Sequence, residues 1–163
     1  MKSINRIISL VLCLAIGIGV NAQIRKTIMG VTIGVSTKSA VFNKLTNQGY
    51  TFSEEPHALN IIDAEYAGYK WKKIKFCYLN NVLYKVEFND PSVPGESYWS
   101  GNVTPRATIF ENLSYSINNK YKRYLTNGIY SDGKTQIRFA PGQMIYENIA
   151  MAKKAGNAMY DDL

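Results

Sequence analysis

Two neighbouring segments carry the clearest alternation of apolar and polar positions in the chain. Ile74, Phe76 and Tyr78 alternate with Lys73, Lys75 and Cys77; beyond Asn80-Asn81, Val82, Tyr84, Val86 and Phe88 alternate with Leu83, Lys85 and Glu87. A period of two puts successive side chains on opposite faces of a strand. The pattern therefore predicts an antiparallel hairpin of Tyr69 to Leu79 and Val82 to Phe88, with one apolar and one lysine-bearing face. Paired asparagines tolerate the positive φ of its tight turn. Leu59 to Ala67 reads as a third strand.

Elsewhere the spacing is helical. Hydroxyl residues at Ser36, Thr37 and Ser39 precede Val41, Phe42 and Leu45, predicting a helix over Lys38 to Asn47 with Gly49 at its exit. Thr104-Pro105 opens a second helix, with Pro105 at its first position. Its apolar stripe is Phe110, Leu113, Ile117, Tyr121 and Tyr124, and Asn127-Gly128 closes it. Ile129-Tyr130 and Thr135 to Ala140 flank a turn at residues 131–134, predicting a hairpin with Ile137 and Phe139 inward. Residues 144–155 fit two templates, since Ile145, Ile149 and Ala152 keep helical spacing while Met144 to Glu147 suits a strand; the helix is preferred.

Between the halves, Asn89 to Val103 holds two prolines and two glycines and shows no periodicity, which predicts a long loop. The expected fold class is α+β, with helices packed on one face of an antiparallel sheet and a helix-plus-strands unit repeated twice. The domain spans 23–155, its halves being about 28–90 and 104–155 with the loop at 89–103. Residues 156–163 are expected as a flexible tail.

The first residues have the order of a secretory signal peptide: Lys2 and Arg6, an apolar stretch from Ile7 to Val20, and Val20-Asn21-Ala22 before Gln23. That stretch falls short of the ~20 apolar residues a spanning helix needs. Cleavage between Ala22 and Gln23 is expected, giving a periplasmic or secreted protein with no transmembrane segment. Loss of Lys2 and Arg6 lowers the formal net charge from +7 to +5. Cys13 leaves with the leader, so Cys77 has no intramolecular disulfide partner and the core must hold the fold alone. Twelve tyrosines favour half-buried sheet surfaces.

Candidate chemistry is sparse. His57 is the single histidine, so a Ser-His-Asp or Cys-His arrangement depends wholly on it. Its neighbours Glu54 and Glu55 read as solvated loop carboxylates rather than metal ligands. Cys77 shares a face with Lys75, and a nearby ammonium favours thiolate, yet a half-buried cysteine acting as a small hydrophobe is the simpler reading. Asp63 and Glu65 share a strand face and Glu87 lies on another strand, but nothing gathers them into a pocket. The phosphate-cradling GxxxxGK[ST] loop and the dinucleotide GxGxxG are both missing. No catalytic, cofactor-binding or metal-binding residue is assigned, and no cofactor is expected.

Lys70, Lys72, Lys73, Lys75 and Lys85 with Tyr69 and Trp71 make a basic aromatic surface of the kind that binds nucleic acid, but export removes that partner. Tyr98 and Trp99, adjacent aromatics in a Gly/Pro-rich loop, suit a protein-binding anchor. The candidate partner-binding residues are Tyr98, Trp99, Tyr69 and Trp71.

The segments MGVTIGVSTKSAVFNKLTNQGY, AEYAGYKW and KIKFCYLNNVLYKVEF resemble small exported Bacteroidota proteins of β-lactamase-inhibitor-like fold, most of unknown function. The Ala-Gln cleavage site and the Asp-Asp-Leu terminus are similar too. Gly30, Gly49 and Gly68 mark turns in the matching segments. The resemblance implies helix-plus-sheet repeats whose concave sheet and loops grip another protein; it does not imply inhibition of a β-lactamase. The second half departs from the plan, showing two clear strands before its last helix. The expected function is an exported, non-catalytic protein-binding module of the cell envelope whose partner is another envelope or extracellular protein. The alternatives are an envelope assembly or structural factor, and a small envelope enzyme.

Overall fold

A computed structural model of the chain describes residues 23–96 and 104–161. The expected leader, the aromatic pair Tyr98 and Trp99, and residues 162–163 lie outside the described residues.

The fold opens with a small hairpin, β1 (Thr27–Ile28) and β2 (Val31–Thr32), and then the helix α1 (Lys38–Thr46). Extended Thr37 starts α1, its hydroxyl accepting the Ala40 amide at 3.3 Å. Val41 and Leu45, one turn apart, are its buried residues. Past α1, left-handed Gly49 (φ 86°) lets the Tyr50 amide return to the Leu45 carbonyl at 3.1 Å, as a glycine exit requires.

A four-strand meander follows: β3 (Ser53–Glu55), β4 (Ala58–Tyr66), β5 (Tyr69–Leu79) and β6 (Val82–Ser92). Asn80 and Asn81 both take positive φ, 48° and 65°, in the two-residue turn between β5 and β6. Residues 89–92, expected in the long loop, continue β6 and pair with β5.

The helix α2 (Arg106–Tyr121) begins one residue later than expected, with Pro105 outside it and the Thr104 hydroxyl bonded to Glu96 instead of capping. A 3-10 turn (Lys122–Tyr124) ends it, and four strands follow: β7 (Leu125–Thr126), β8 (Ile129–Ser131), β9 (Thr135–Ala140) and β10 (Gln143–Asn148). Asn127 and Gly128 form the left-handed turn of the β7–β8 hairpin rather than the end of the helix. Residues 143–148 are a strand, correcting the helical reading, and the helix α3 (Ile149–Asp161) starts only after them. It continues through residues 156–161, which the sequence pattern placed in a tail.

The strands form one antiparallel sheet in the order β3-β4-β5-β6-β10-β9-β8-β7, so that β6 and β10 pair at its centre. Its edges are the three-residue β3, which pairs with residues 58–60 of the longer β4, and the two-residue β7. Val41 and Leu45 of α1 and Ile109 and Leu113 of α2 share one core with Leu59, Ile74, Phe76, Val86, Phe88, Ile137 and Met144. Both helices therefore cover the same face of the sheet. The chain is a mixed α+β protein with a large antiparallel sheet and, among the described residues, three α-helices. None of the described helices is long and apolar enough to cross a membrane.

One row of the sheet breaks the alternation. Ile61 and Ala64 in β4, Trp71 and Ile74 in β5, and Phe88 and Pro91 in β6 are all buried although each pair is three residues apart. On the row between them Asp63 and Asp90 flank Lys72 and adopt left-handed φ of 53° and 49°. Between Asp63 of β4 and Asp90 of β6, β5 passes at Lys72 without a positive φ, and beyond this row Ala64, Trp71 and Pro91 are all buried, with Trp71 in the core. Its side chain is fully enclosed, Nε1 donates to the Tyr66 carbonyl at 3.1 Å, and its ring lies 5.0 Å from Phe88.

Candidate functional site

The sheet face away from α1 and α2 carries two rows in which polar residues predominate. Cross-strand register aligns Glu55, Ala58, Cys77, Lys85, Glu147 and Gln136 in one, and Ser53, Asn60, Lys75, Glu87, Ile145 and Arg138 in the other. Ion pairs knit the rows together: Lys75 to Glu55 at 2.6 Å, Lys85 to Glu87 at 2.7 Å and Arg138 to Glu147 at 2.9 Å. Gln136 also donates to Glu147, and Asn60 to Glu55. The Lys75 ammonium and the Asn60 amide hold the Glu55 carboxyl below its ordinary range, and the same bond raises Lys75. Burial draws Lys85 down, but Glu87 and Cys77 together outweigh it and its ammonium is held above the ordinary range.

Cys77 is buried in the middle of this face. Burial pushes its thiol up to about 11, with Glu87 adding to the effect and Lys85 and Lys75 opposing it more weakly. The lysine neighbour that favours thiolate is thus present, but it is spent on Glu55. At neutral pH the group is a protonated thiol, which is a poor nucleophile.

His57 lies on the exposed turn between β3 and β4, where its carbonyl accepts the Tyr78 amide at 2.8 Å. Glu54 pairs with Lys38 at 2.9 Å and Glu55 with Lys75, so the two carboxylates beside it are engaged separately. Asp63 approaches Lys70 at 4.0 Å while Glu87 belongs to Lys85. The basic aromatic surface is not assembled, because Trp71 is in the core and Lys70, Lys75 and Lys85 face carboxylates. Trp71 accordingly drops out of the set of surface contacts. Tyr69 stays half-buried, its ring edge-on to Trp71 at 6.2 Å.

At one end of the sheet is a cleft of about 700 Å³ that no sequence pattern pointed to. Asp63, Lys70 and Lys72 line it from β4 and β5, Asp90 from β6, Glu96 from the following loop and Arg106 from the first turn of α2. Asp90 ties three elements together. Its amide donates to the Gly142 carbonyl at 2.9 Å, and Oδ1 meets Arg106 Nη1 at 3.0 Å. Gly142 has φ of 72°, and a Cβ there would stand 3.2 Å from Asp90 Oδ1, so a side chain would crowd that carboxylate. The only sequence trace of this geometry is Asn89-Asp90-Pro91, a turn-like triplet inside a strand.

Two residues of the cleft, Glu96 and Thr104, flank in sequence the stretch that contains Tyr98 and Trp99. Glu96 accepts from the Thr104 amide at 2.9 Å and from the Thr104 hydroxyl. This clasp joins residues 96 and 104 at the cleft, whose lining includes both.

With the geometry in hand, comparison with known proteins adds no relative: no family model, no curated protein and no solved structure matches this chain.

Proposed function

We propose that the protein is an exported, non-catalytic binding module of the cell envelope that grips another protein through the segment carrying Tyr98 and Trp99, with half-buried Tyr69 as a further contact. The observation that carries this reading is the Glu96–Thr104 clasp. A short segment whose ends are fixed together loses less freedom on binding than an open linker, and adjacent large aromatics supply contact area at small entropic cost. The neighbouring cleft, lined by Asp63, Asp90, Lys72 and Arg106, offers both signs of charge to a polar rim around such an anchor.

The order of elements supports the finer fold reading. Helix and four-strand meander occur as α1 with β3 to β6 and again as α2 with β7 to β10, the plan of a β-lactamase-inhibitor-like platform. Export is proposed from the leader, with cleavage between Ala22 and Gln23, and the burial of Ile24 is in keeping with a fold that begins just after that bond. The test is a pair of binding measurements on envelope extracts using wild type and Tyr98→Ala/Trp99→Ala. The reading requires the double variant to keep its melting temperature and lose its partner; retained binding refutes it.

A further inference from the structure

On the helix-covered side of the sheet, α2, the β4–β5 turn, β10 and the chain entering β1 enclose a cavity of about 260 Å³. Four phenol rings line it, Tyr66, Tyr69, Tyr121 and Tyr146, with Leu113 and Met144 among the apolar walls. Among the described residues Arg25 and Lys120 are the charged groups of the lining, which holds no carboxylate. In that it differs from the cleft beside Asp90, where acids and bases balance.

The polar groups of the cavity are close together. Lys120 Nζ lies 5.4 Å from the Tyr121 ring, and the Tyr121 hydroxyl accepts the Arg25 amide at 3.2 Å. Burial raises the Tyr146 phenol, the Tyr121 and Tyr66 phenols raise it further, and the Arg25 guanidinium lowers it, which places all four within electrostatic range. The Tyr66 and Tyr146 rings both pack on Phe88, with centroids 5.4 and 6.2 Å away, which fixes their place in the wall.

We propose that this cavity is a binding site for a small carboxylate built on one flat ring. The volume lies just below the ~300–1,000 Å³ of pockets for drug-sized ligands, which limits the occupant to about one ring and its substituents. Aromatic walls favour a flat ring by offset or edge-on stacking. Two cations without an opposing acid favour an anion, and guanidinium recognises carboxylate with two parallel hydrogen bonds. The phenols of the lining supply donors to the same oxygens or to a ring hydroxyl. The site goes beyond the protein-binding reading and does not depend on it.

The test titrates 4-hydroxybenzoate, its neutral relative benzamide and the cation benzylammonium into the protein in the form the cell exports, following tyrosine ring signals by NMR. The expected result is saturable binding of 4-hydroxybenzoate at roughly 0.1–1 mM, with shifts at Tyr66, Tyr121 and Tyr146. Arg25→Gln and Lys120→Gln, both at exposed positions, weaken it about tenfold each and leave benzamide unaffected. Tyr146→Phe keeps the ring and weakens binding by less. Equal affinity for benzamide or benzylammonium, shifts confined to other residues, or no saturation by about 10 mM would each overturn the proposal.

Discussion

Ile24 and Asp132, 108 residues apart in sequence, are joined by a 3.0 Å hydrogen bond from the Ile24 amide to the Asp132 carboxylate. The same carboxylate accepts the Lys134 and Thr135 amides at 2.9 and 2.7 Å, so one side chain both shapes the β8–β9 turn and pins the start of the fold. Burial pushes its pKa up, but the three backbone N–H groups outweigh this and hold it below 3.8. A depressed folded-state value contributes stability above the unfolded pKa, and that contribution is lost as pH falls through the folded one. Asp132→Ala is expected to cost about 2 kcal/mol at pH 7. In urea melts the gap between wild type and variant should shrink below about pH 4; a constant gap would show that the carboxylate charge is not what matters.

Cys77 is expected to react slowly. A thiol pKa of about 11 and its buried position should make iodoacetamide labelling of the folded protein at least ~100-fold slower than after denaturation. Cys77→Ala should leave partner binding intact. Fast labelling that abolishes binding would make the thiol functional.

Glu147 is buried on the polar face and takes hydrogen bonds from Arg138 and Gln136. Its removal leaves both donors without their acceptor. Glu147→Ala should therefore destabilise by about 2 kcal/mol, less than a fully buried pair would lose because Arg138 keeps some contact with water. Thermal melts of this variant beside Glu147→Gln, which keeps an acceptor and should lose less, separate the bond from the volume.

Trp71→Ala should cost ~3–5 kcal/mol, the scale for an enclosed aromatic. Loss of binding by this variant would report unfolding, whereas Tyr69→Ala should fold and reveal any surface role. A Trp71→Ala protein with wild-type stability would contradict its place in the core.

The positions of these residues were unequally legible in the sequence. The β5–β6 hairpin is legible in its extent and turn because Asn80-Asn81 can adopt left-handed geometry, but a register shift after Cys77 pairs Tyr78 with Leu83 and buries Leu83, which alternation puts on the lysine face. Thr37 and Gly49 marked α1 for equally local reasons. In β10, by contrast, Met144 and Ile145 are both buried although neighbours in a strand face opposite sides of the sheet, and the period of two is lost. Trp71 stands among lysines in the sequence and reads with them as a surface, but the alternation breaks at the row of Asp63, Lys72 and Asp90, and Trp71 is buried. The charged cleft and the tyrosine cavity join residues from distant segments, and no spacing along the chain encodes them.

The central claim is that residues 98 and 99 touch a protein partner. A photo-crosslinking amino acid placed at Trp99 in living cells, with the same group at exposed Tyr115 as control, tests it most directly. The account predicts a single discrete adduct with an envelope protein from position 99 and none from position 115. The same adduct from both positions, or none from position 99, would contradict it.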